Sequence, residues 1–269
     1  MELAEHKFPI SFGICIGPGS TPSYISKLIE SIRRQDIPEY EIICIGGDWD
    51  SRPYTNDPDI VLVDFDEHAY AGNISRKKNI ITKTAKHDVV CILSVYQELD
   101  YGWYDGLVEF TLWHPDWDII QNPIYNLDTG LRGIDWVLHP DYMKKYLDSK
   151  PEWYPILKQT YPQEGERPWY VVGLPFTEGD LTQCQYVSGG YMLCRKYVLL
   201  MYPLNEAMII RRDAEDIEWS ERIKQSNFKW LFNSFSINLV QQPGRWNVCE
   251  VPPALLEEFR TAYKEGFFN

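Results

Sequence analysis

The first hundred residues alternate short apolar runs with amphipathic stretches, and this alternation limits the fold more than any other feature of the chain. Ile10-Ser11-Phe12-Gly13-Ile14-Cys15-Ile16 has the composition of a buried strand and stops at Gly17-Pro18-Gly19-Ser20, a turn whose glycines let a ligand approach the backbone. A helix follows, with Ser23 as its expected cap and Tyr24, Ile25, Leu28 and Ile32 on one face before Pro38. Glu41 to Ile45 predicts a second strand, ending at Gly46-Gly47-Asp48-Trp49-Asp50, and Ile60 to Asp64 a third. Asn73 to Ala85 predicts a second helix carrying Arg76, Lys77 and Lys78, and Val89 to Leu93 a fourth, buried strand. Short strand-helix-strand connections imply an α/β fold with a mostly parallel sheet, whose ligands gather at the carboxyl ends of the strands.

Composition narrows the function. At 269 residues and 44% hydrophobic the chain can bury a substantial core, and a single catalytic unit is expected. A net charge of -13 repels nucleic acid and anionic lipid. No apolar run approaches the ~20 residues of a membrane span, and Met1-Glu2-Leu3-Ala4-Glu5-His6 lacks the basic start of a secretion signal, so a cytoplasmic location is expected. The six cysteines lack metal-ligand spacing; Cys15, Cys44 and Cys91 sit inside strand patterns as small buried hydrophobes. The 10 Trp and 18 Tyr suit a carbohydrate ligand, whose apolar ring faces stack on aromatics, but they also fill ordinary cores.

Past Trp103 the pattern is less regular. Trp117 to Gln121 and Ser234 to Val240 predict strands, Pro252 to Lys264 a closing helix, and Pro140 to Pro175 a long ordered excursion. Ser188-Gly189-Gly190 precedes Glu215-Asp216, which opens the helical pattern up to Arg222. Acid at a helix start is favoured by the backbone dipole alone. Its order after a glycine pair suggests a carboxylate set over a glycine-floored pocket.

Taken in order, these segments resemble the family-2-type glycosyltransferases of the GT-A fold. The resemblance spans roughly Ile10 to Val240 and rests on the opening strand, Ser31-Ile32-Arg33-Arg34-Gln35, Glu41-Ile42-Ile43, Arg76-Lys77-Lys78-Asn79, Ser188-Gly189-Gly190, Arg195-Lys196-Tyr197, Pro203-Leu204-Asn205-Glu206 and Glu215-Asp216. It implies a nucleotide-sugar donor and a glycan or other hydroxyl acceptor. It implies a nucleotide-binding half over about 8–115, an acceptor-binding half over about 116–250 and a C-terminal helix over 251–269. Gly17, Asp48, Arg76 and Asn79 match the nucleotide-binding positions, with Ser94 and Tyr96 at the end of the fourth strand, and Gly189 and Gly190 belong to the acceptor side. Asp216 matches the general base and Glu215 an acceptor-hydroxyl partner; Glu218 and Glu221 read as solvated helix acids. The plainer reading makes Gly17 a turn residue, Asp48 a solvated loop acid and Arg76-Lys77-Lys78 an exposed basic face.

The chain departs from that family where a divalent cation (Mn or Mg) is normally held. Ser94-Val95-Tyr96-Gln97 stands in place of the Asp-x-Asp motif, and Leu239-Val240-Gln241-Gln242 lacks the metal-binding His that often follows the last strand. Glu98 and Asp100 are left as weak candidate ligands. Fixed cations, among them Arg76, Lys77, Arg211, Arg212 and Arg245, are the alternative means of offsetting charge on a leaving diphosphate. His114 and His139 read as packed side chains, and Arg132 and Asp135 as a structural pair or as contacts to the donor sugar. Two readings follow: an inverting glycosyltransferase with Asp216 as base, or a catalytically silent GT-A domain that binds nucleotide or glycan without turnover.

Overall fold

The computed structural model describes residues 3–47, 49–128, 187–208 and 215–241. Its main sheet has seven strands. In chain order these are β1 (Ile10–Cys15), β2 (Tyr40–Ile45), β3 (Ile60–Val63), β4 (Val89–Ser94), β6 (Ile119–Gln121), β8 (Tyr191–Arg195) and β9 (Trp230–Phe232), arranged β3-β2-β1-β4-β8-β6-β9. β3, β2, β1 and β4 run parallel, β8 runs against β4 and β6, and β9 is parallel to β6, so β8 alone is reversed. Because of that reversal, the residues leading into β8 lie beside the carboxyl end of β4: Leu93 pairs with Tyr191, and Ser94 N–H donates to Gly190 O at 3.0 Å.

The helices α1 (Pro22–Arg33), α2 (Ile74–Thr84), α3 (Trp103–Trp113), α4 (Lys196–Met201) and α5 (Glu215–Lys224) complete the layers. Alternation along the strands divides the apolar side chains into two cores. Ile10, Phe12 and Ile14 of β1 join Leu28 and Ile32 of α1 and Trp103 and Leu107 of α3 on one face. Ile43 and Ile45 of β2 join Ile81 of α2, Leu199 of α4 and Trp219 of α5 on the other. Cys15, Cys44, Cys91 and Cys194 are buried free thiols within these layers.

Two local expectations are corrected. Thr21, not Ser23, is the N-cap of α1, because Pro22 takes the first helical position, where its missing N–H costs nothing. The last strand is also shorter than Ser234 to Val240. Asn233 Nδ2 donates to Ser236 Oγ, and Ser236 Oγ donates to Trp103 O at 2.7 Å, which holds 233–236 in a turn and leaves β10 (Asn238–Val240). β10 belongs to a second, three-stranded sheet, between β5 (Gln97–Leu99) and β7 (Ile124–Asn126). The excursion over 140–175, the closing helix over 252–264, and Asp48, Arg132, Asp135, His139, Arg211, Arg212 and Arg245 lie outside the described residues. Among the described residues no helix is long and apolar enough to cross a membrane.

Candidate functional site

Three strand ends and one helix start meet at a glycine strip. Val187 N–H donates to Ser220 Oγ at 2.9 Å and Gly189 N–H to Asp216 Oδ2 at 2.8 Å, so the strip is fastened along the first turns of α5. A Cβ on Gly189 would stand 2.9 Å from Asp216 Oδ2 and 3.0 Å from Glu215 Oε1. A Cβ on Gly190 would stand 2.8 Å from Tyr96 Oη and 3.3 Å from Gln97 Nε2, with Ser94 Oγ at 3.6 Å. The absent side chains thus let two carboxylates approach one residue of the strip and neutral hydroxyl and amide groups the next. Ser94, Tyr96, Gly189, Gly190, Glu215 and Asp216, drawn from three separate stretches of the chain, come together.

Charge in this cluster is balanced from below by α2. Lys78 Nζ, fully buried, lies 3.0 Å from Glu215 Oε1. Burial alone would lower the Lys78 ammonium, but Glu215, with Cys15 and Asp216 beyond it, outweighs burial and holds the lysine above its ordinary value. Burial, then the neighbouring Glu215, raises the Asp216 carboxyl to about 6, against the opposing pull of Lys78 and of the Gly189 and Ile217 N–H groups. A carboxyl with that value is ionised at neutral pH yet basic enough to take a proton. Burial pushes the adjacent Cys15 thiol up to about 11, which keeps it neutral.

The ends of β1 and β2 are clasped by Lys77 and Glu67. Lys77 Nζ donates to Ile16 O at 2.5 Å and pairs with Glu67, whose Oε1 accepts Gly47 N–H at 2.8 Å. Gly17 sits at this junction, with its N–H on Ser20 Oγ at 3.0 Å and its carbonyl oxygen 3.3 Å from where a Gly47 Cβ would be. Beside it a cavity of about 430 Å³ is lined by Gly46, Gly47, Trp49, Leu62, Asp64 and Phe65. The three basic residues of α2 therefore part company: Lys77 and Lys78 are buried, and neither belongs to an exposed basic face.

Arg76 and Asn79 face a different neighbour. Arg76 pairs with Glu206 at 3.1 Å and stacks over Tyr70 at 4.0 Å. Asn79 Nδ2 donates to Leu204 O at 2.9 Å and to Glu206 Oε1 at 3.0 Å, while its Oδ1 accepts Leu204 N–H. Asn79 also lines a cavity of about 570 Å³ with Leu199, Pro203, Glu206 and Arg222, to which no residue of the glycine strip contributes. Glu218 pairs with Arg222, and Glu221 with Lys224, as partly exposed ion pairs along α5.

Among the described residues, the candidate ligands Glu98 and Asp100 each have other partners. Glu98 is held by Arg34 at 3.0 Å, and Asp100 Oδ1 accepts Tyr101 N–H at 2.8 Å. Ser94, Val95 and Tyr96 bring no carboxylate to the end of β4. Among the described residues no group of three His, Cys, Asp or Glu side chains is placed to hold a metal ion.

No protein-family model and no curated protein matches the sequence. Among solved structures the chain is similar to a crystal structure of GalNAc-T7 with UDP, GalNAc and Mn²⁺, at 15% identity and a TM-score of 0.56 over 86% of this chain. The fold is of the GT-A glycosyltransferase type. The chain spans 43% of the length of that protein. In a fold of this type the glycine strip and the head of α5 stand at the carboxyl edge of the sheet, the side on which α/β sheets bind ligands. Lys78, Glu67 and Gln97 adjoin these groups, and the sequence motifs assign none of the three a role at the site. For Lys78 a signal existed, since Ile74, Lys78 and Ile81 share one helical face.

Proposed function

We propose that the protein is a glycosyltransferase that moves a sugar from a nucleotide-diphosphate donor to a hydroxyl acceptor in one displacement. The observation that carries this reading is the contact between Gly189 N–H and Asp216 Oδ2 beside the buried Lys78–Glu215 pair. Asp216 takes the proton of the acceptor hydroxyl as its oxygen attacks the anomeric carbon. The bond from that carbon to the diphosphate oxygen breaks, and the nucleotide leaves with the electron pair. Glu215, anchored by Lys78, adjoins Asp216 and orients the acceptor hydroxyl. The base of the nucleotide fits the 430 Å³ cavity by Trp49, which is within the size range of ligand pockets. Arg76 and Asn79 act on the donor through the Pro203–Glu206 loop that they hold.

The second reading, a GT-A domain that binds without turnover, is favoured by the missing carboxylates at the end of β4. Both readings are tested together. A thermal-shift screen of UDP, GDP, dTDP and CMP, with and without Mn²⁺, identifies the donor nucleotide. Transfer by the native protein and by Asp216→Asn is then compared with the matching nucleotide sugars and a broad acceptor panel. A fall of about 10² to 10⁴ with nucleotide affinity unchanged supports the base assignment. Equal rates remove Asp216 from the mechanism, and nucleotide binding with no native transfer selects the silent domain.

A further inference from the structure

Among the described residues Gln97 is the one side chain with two buried polar atoms left without a hydrogen-bond partner. It is fully buried, yet neither Nε2 nor Oε1 of its side chain has a hydrogen-bond partner. Its backbone is well held: Gln241 N–H donates to Tyr96 O at 2.8 Å, and Gln241 Nε2 donates to Gln97 O at 3.0 Å. The open groups are thus confined to the carboxamide. Burying an amide without partners costs on the order of 1–3 kcal/mol for each group left open, so an apolar residue would be the stabler choice at a purely structural position.

The location of this amide narrows what completes it. Gln97 Nε2 lies against Gly190, next to Tyr96 Oη and Ser94 Oγ, and Gly190 adjoins the glycine that binds Asp216. A carboxamide offers one donor group and one acceptor, and its partner must supply both. Phosphate and carboxylate oxygens only accept, and an ammonium only donates. A hydroxyl does both, and a sugar ring carries several.

We propose that Gln97 recognises the hydroxyls of a substrate sugar ring at Gly190, in a neutral subsite separate from any group that holds the diphosphate. This deepens the glycosyltransferase reading and rests on it for the presence of a sugar substrate. Gln97 is a specificity-determining residue on this view, and its open amide is a stability cost kept for binding.

The test replaces the amide by apolar groups of similar size, Gln97→Leu and, should that variant fail to fold, Gln97→Met. Calorimetry compares UDP-glucose, UDP-GalNAc and GDP-mannose with UDP and GDP, and ligand-observed NMR follows free glucose, galactose and GalNAc. The expected result is a loss of about 10- to 100-fold in affinity for the sugar-bearing ligand, unchanged affinity for its parent nucleotide, and a melting temperature equal to or above native. If no nucleotide binds but a free sugar binds the native protein and is lost in Gln97→Leu, the subsite stands and the transferase reading fails. Sugar binding that the substitution leaves intact overturns the proposal, whether or not stability falls, and assigns the amide to an internal water. Equal losses for sugar nucleotide and nucleotide overturn it, as does a native protein that binds no sugar, free or nucleotide-linked.

Discussion

Lys78 Nζ stands 3.0 Å from Glu215 Oε1, with the lysine side chain 1% and the glutamate side chain 11% exposed. The pair joins α2 to α5 beneath the glycine strip, and its two ends come from residues 137 positions apart in the chain. Removing one member of a buried pair strands the other charge. Lys78→Met is therefore expected to destabilise the protein by about 3–5 kcal/mol, and Lys78→Met combined with Glu215→Gln to recover most of that loss. Urea unfolding of the two variants checks this; equal destabilisation in both would mean that packing of the lysine stem, and not the pair, is what α2 contributes.

Asp216 links function to stability with a definite sign. Its folded value of about 6 lies above the ordinary 3.8, so between these values the folded state binds the proton more tightly than the unfolded chain does. The contribution to stability is present at low pH and is lost as pH rises from about 4 through about 6. Asp216→Asn, which keeps an acceptor for Gly189 N–H, is expected to raise stability at pH 7 by an amount on the order of 2 kcal/mol and to have little effect at pH 4. Thermal unfolding at the two pH values decides it, and a variant less stable than native at pH 7 contradicts the assignment of the raised carboxyl.

On the proposed mechanism the same ionisation sets the acid limb of transfer. If Asp216 is the base, the rate falls about tenfold per unit as pH drops below about 6. Lys78 favours the ionised carboxylate, so in Lys78→Met the limb moves to higher pH. A pH profile of kcat/KM for both proteins, analysed over the range in which each is folded, tests the direction; a limb that moves down or stays fixed would separate Lys78 from the base.

Much of this fold is legible in the chain because β1 to β4 carry their own periodicity and lie between residues that end them, such as Gly17 and Gly46. β5, β8 and β9 are less legible: Gln97–Leu99 and Trp230–Phe232 are three residues each, too short for a period, and are specified by the partners they pair with. The site divides in the same way. Glu215-Asp216 could be found from its order after Ser188-Gly189-Gly190, whereas Gln97 could not, because its amide stands out only by lacking partners in three dimensions. Lys78 lies between these cases, with a core-facing spacing that its charge disguised.

Asn79 is proposed to act on the donor at one remove, through the loop it holds. Its carboxamide makes paired hydrogen bonds to the backbone N–H and carbonyl of Leu204. Asn79→Ala is expected to cost about 1–3 kcal/mol and to speed amide exchange at Leu204, since a buried donor and acceptor lose their partner together. Exchange that stays slow while nucleotide affinity falls would instead indicate a direct contact with the donor.

Gly189→Ala probes the approach of the two carboxylates to the strip. The new methyl group would lie 2.9 Å from Asp216 Oδ2 and 3.0 Å from Glu215 Oε1, inside the distance at which such atoms rest. Asp216 sits in the first turn of α5, and Glu215 is tied to Lys78, so neither carboxylate can yield freely. The strip and the head of α5 must separate by several tenths of an ångström, which weakens the Gly189 N–H bond to Asp216 and, if Asp216 is the base, shifts it from its line to the acceptor. Misplacement on this scale is expected to lower kcat by about 10²-fold, with donor affinity at the ends of β1 and β2 little changed. Gly17→Ala is the control, because a Cβ there meets nothing nearer than Ser20 Oγ at 3.9 Å and leaves the carboxylates untouched. Kinetics and calorimetry on both variants, with circular dichroism to confirm folding, make the comparison; transfer retained in Gly189→Ala would show that the close contact between strip and helix head is packing without catalytic consequence.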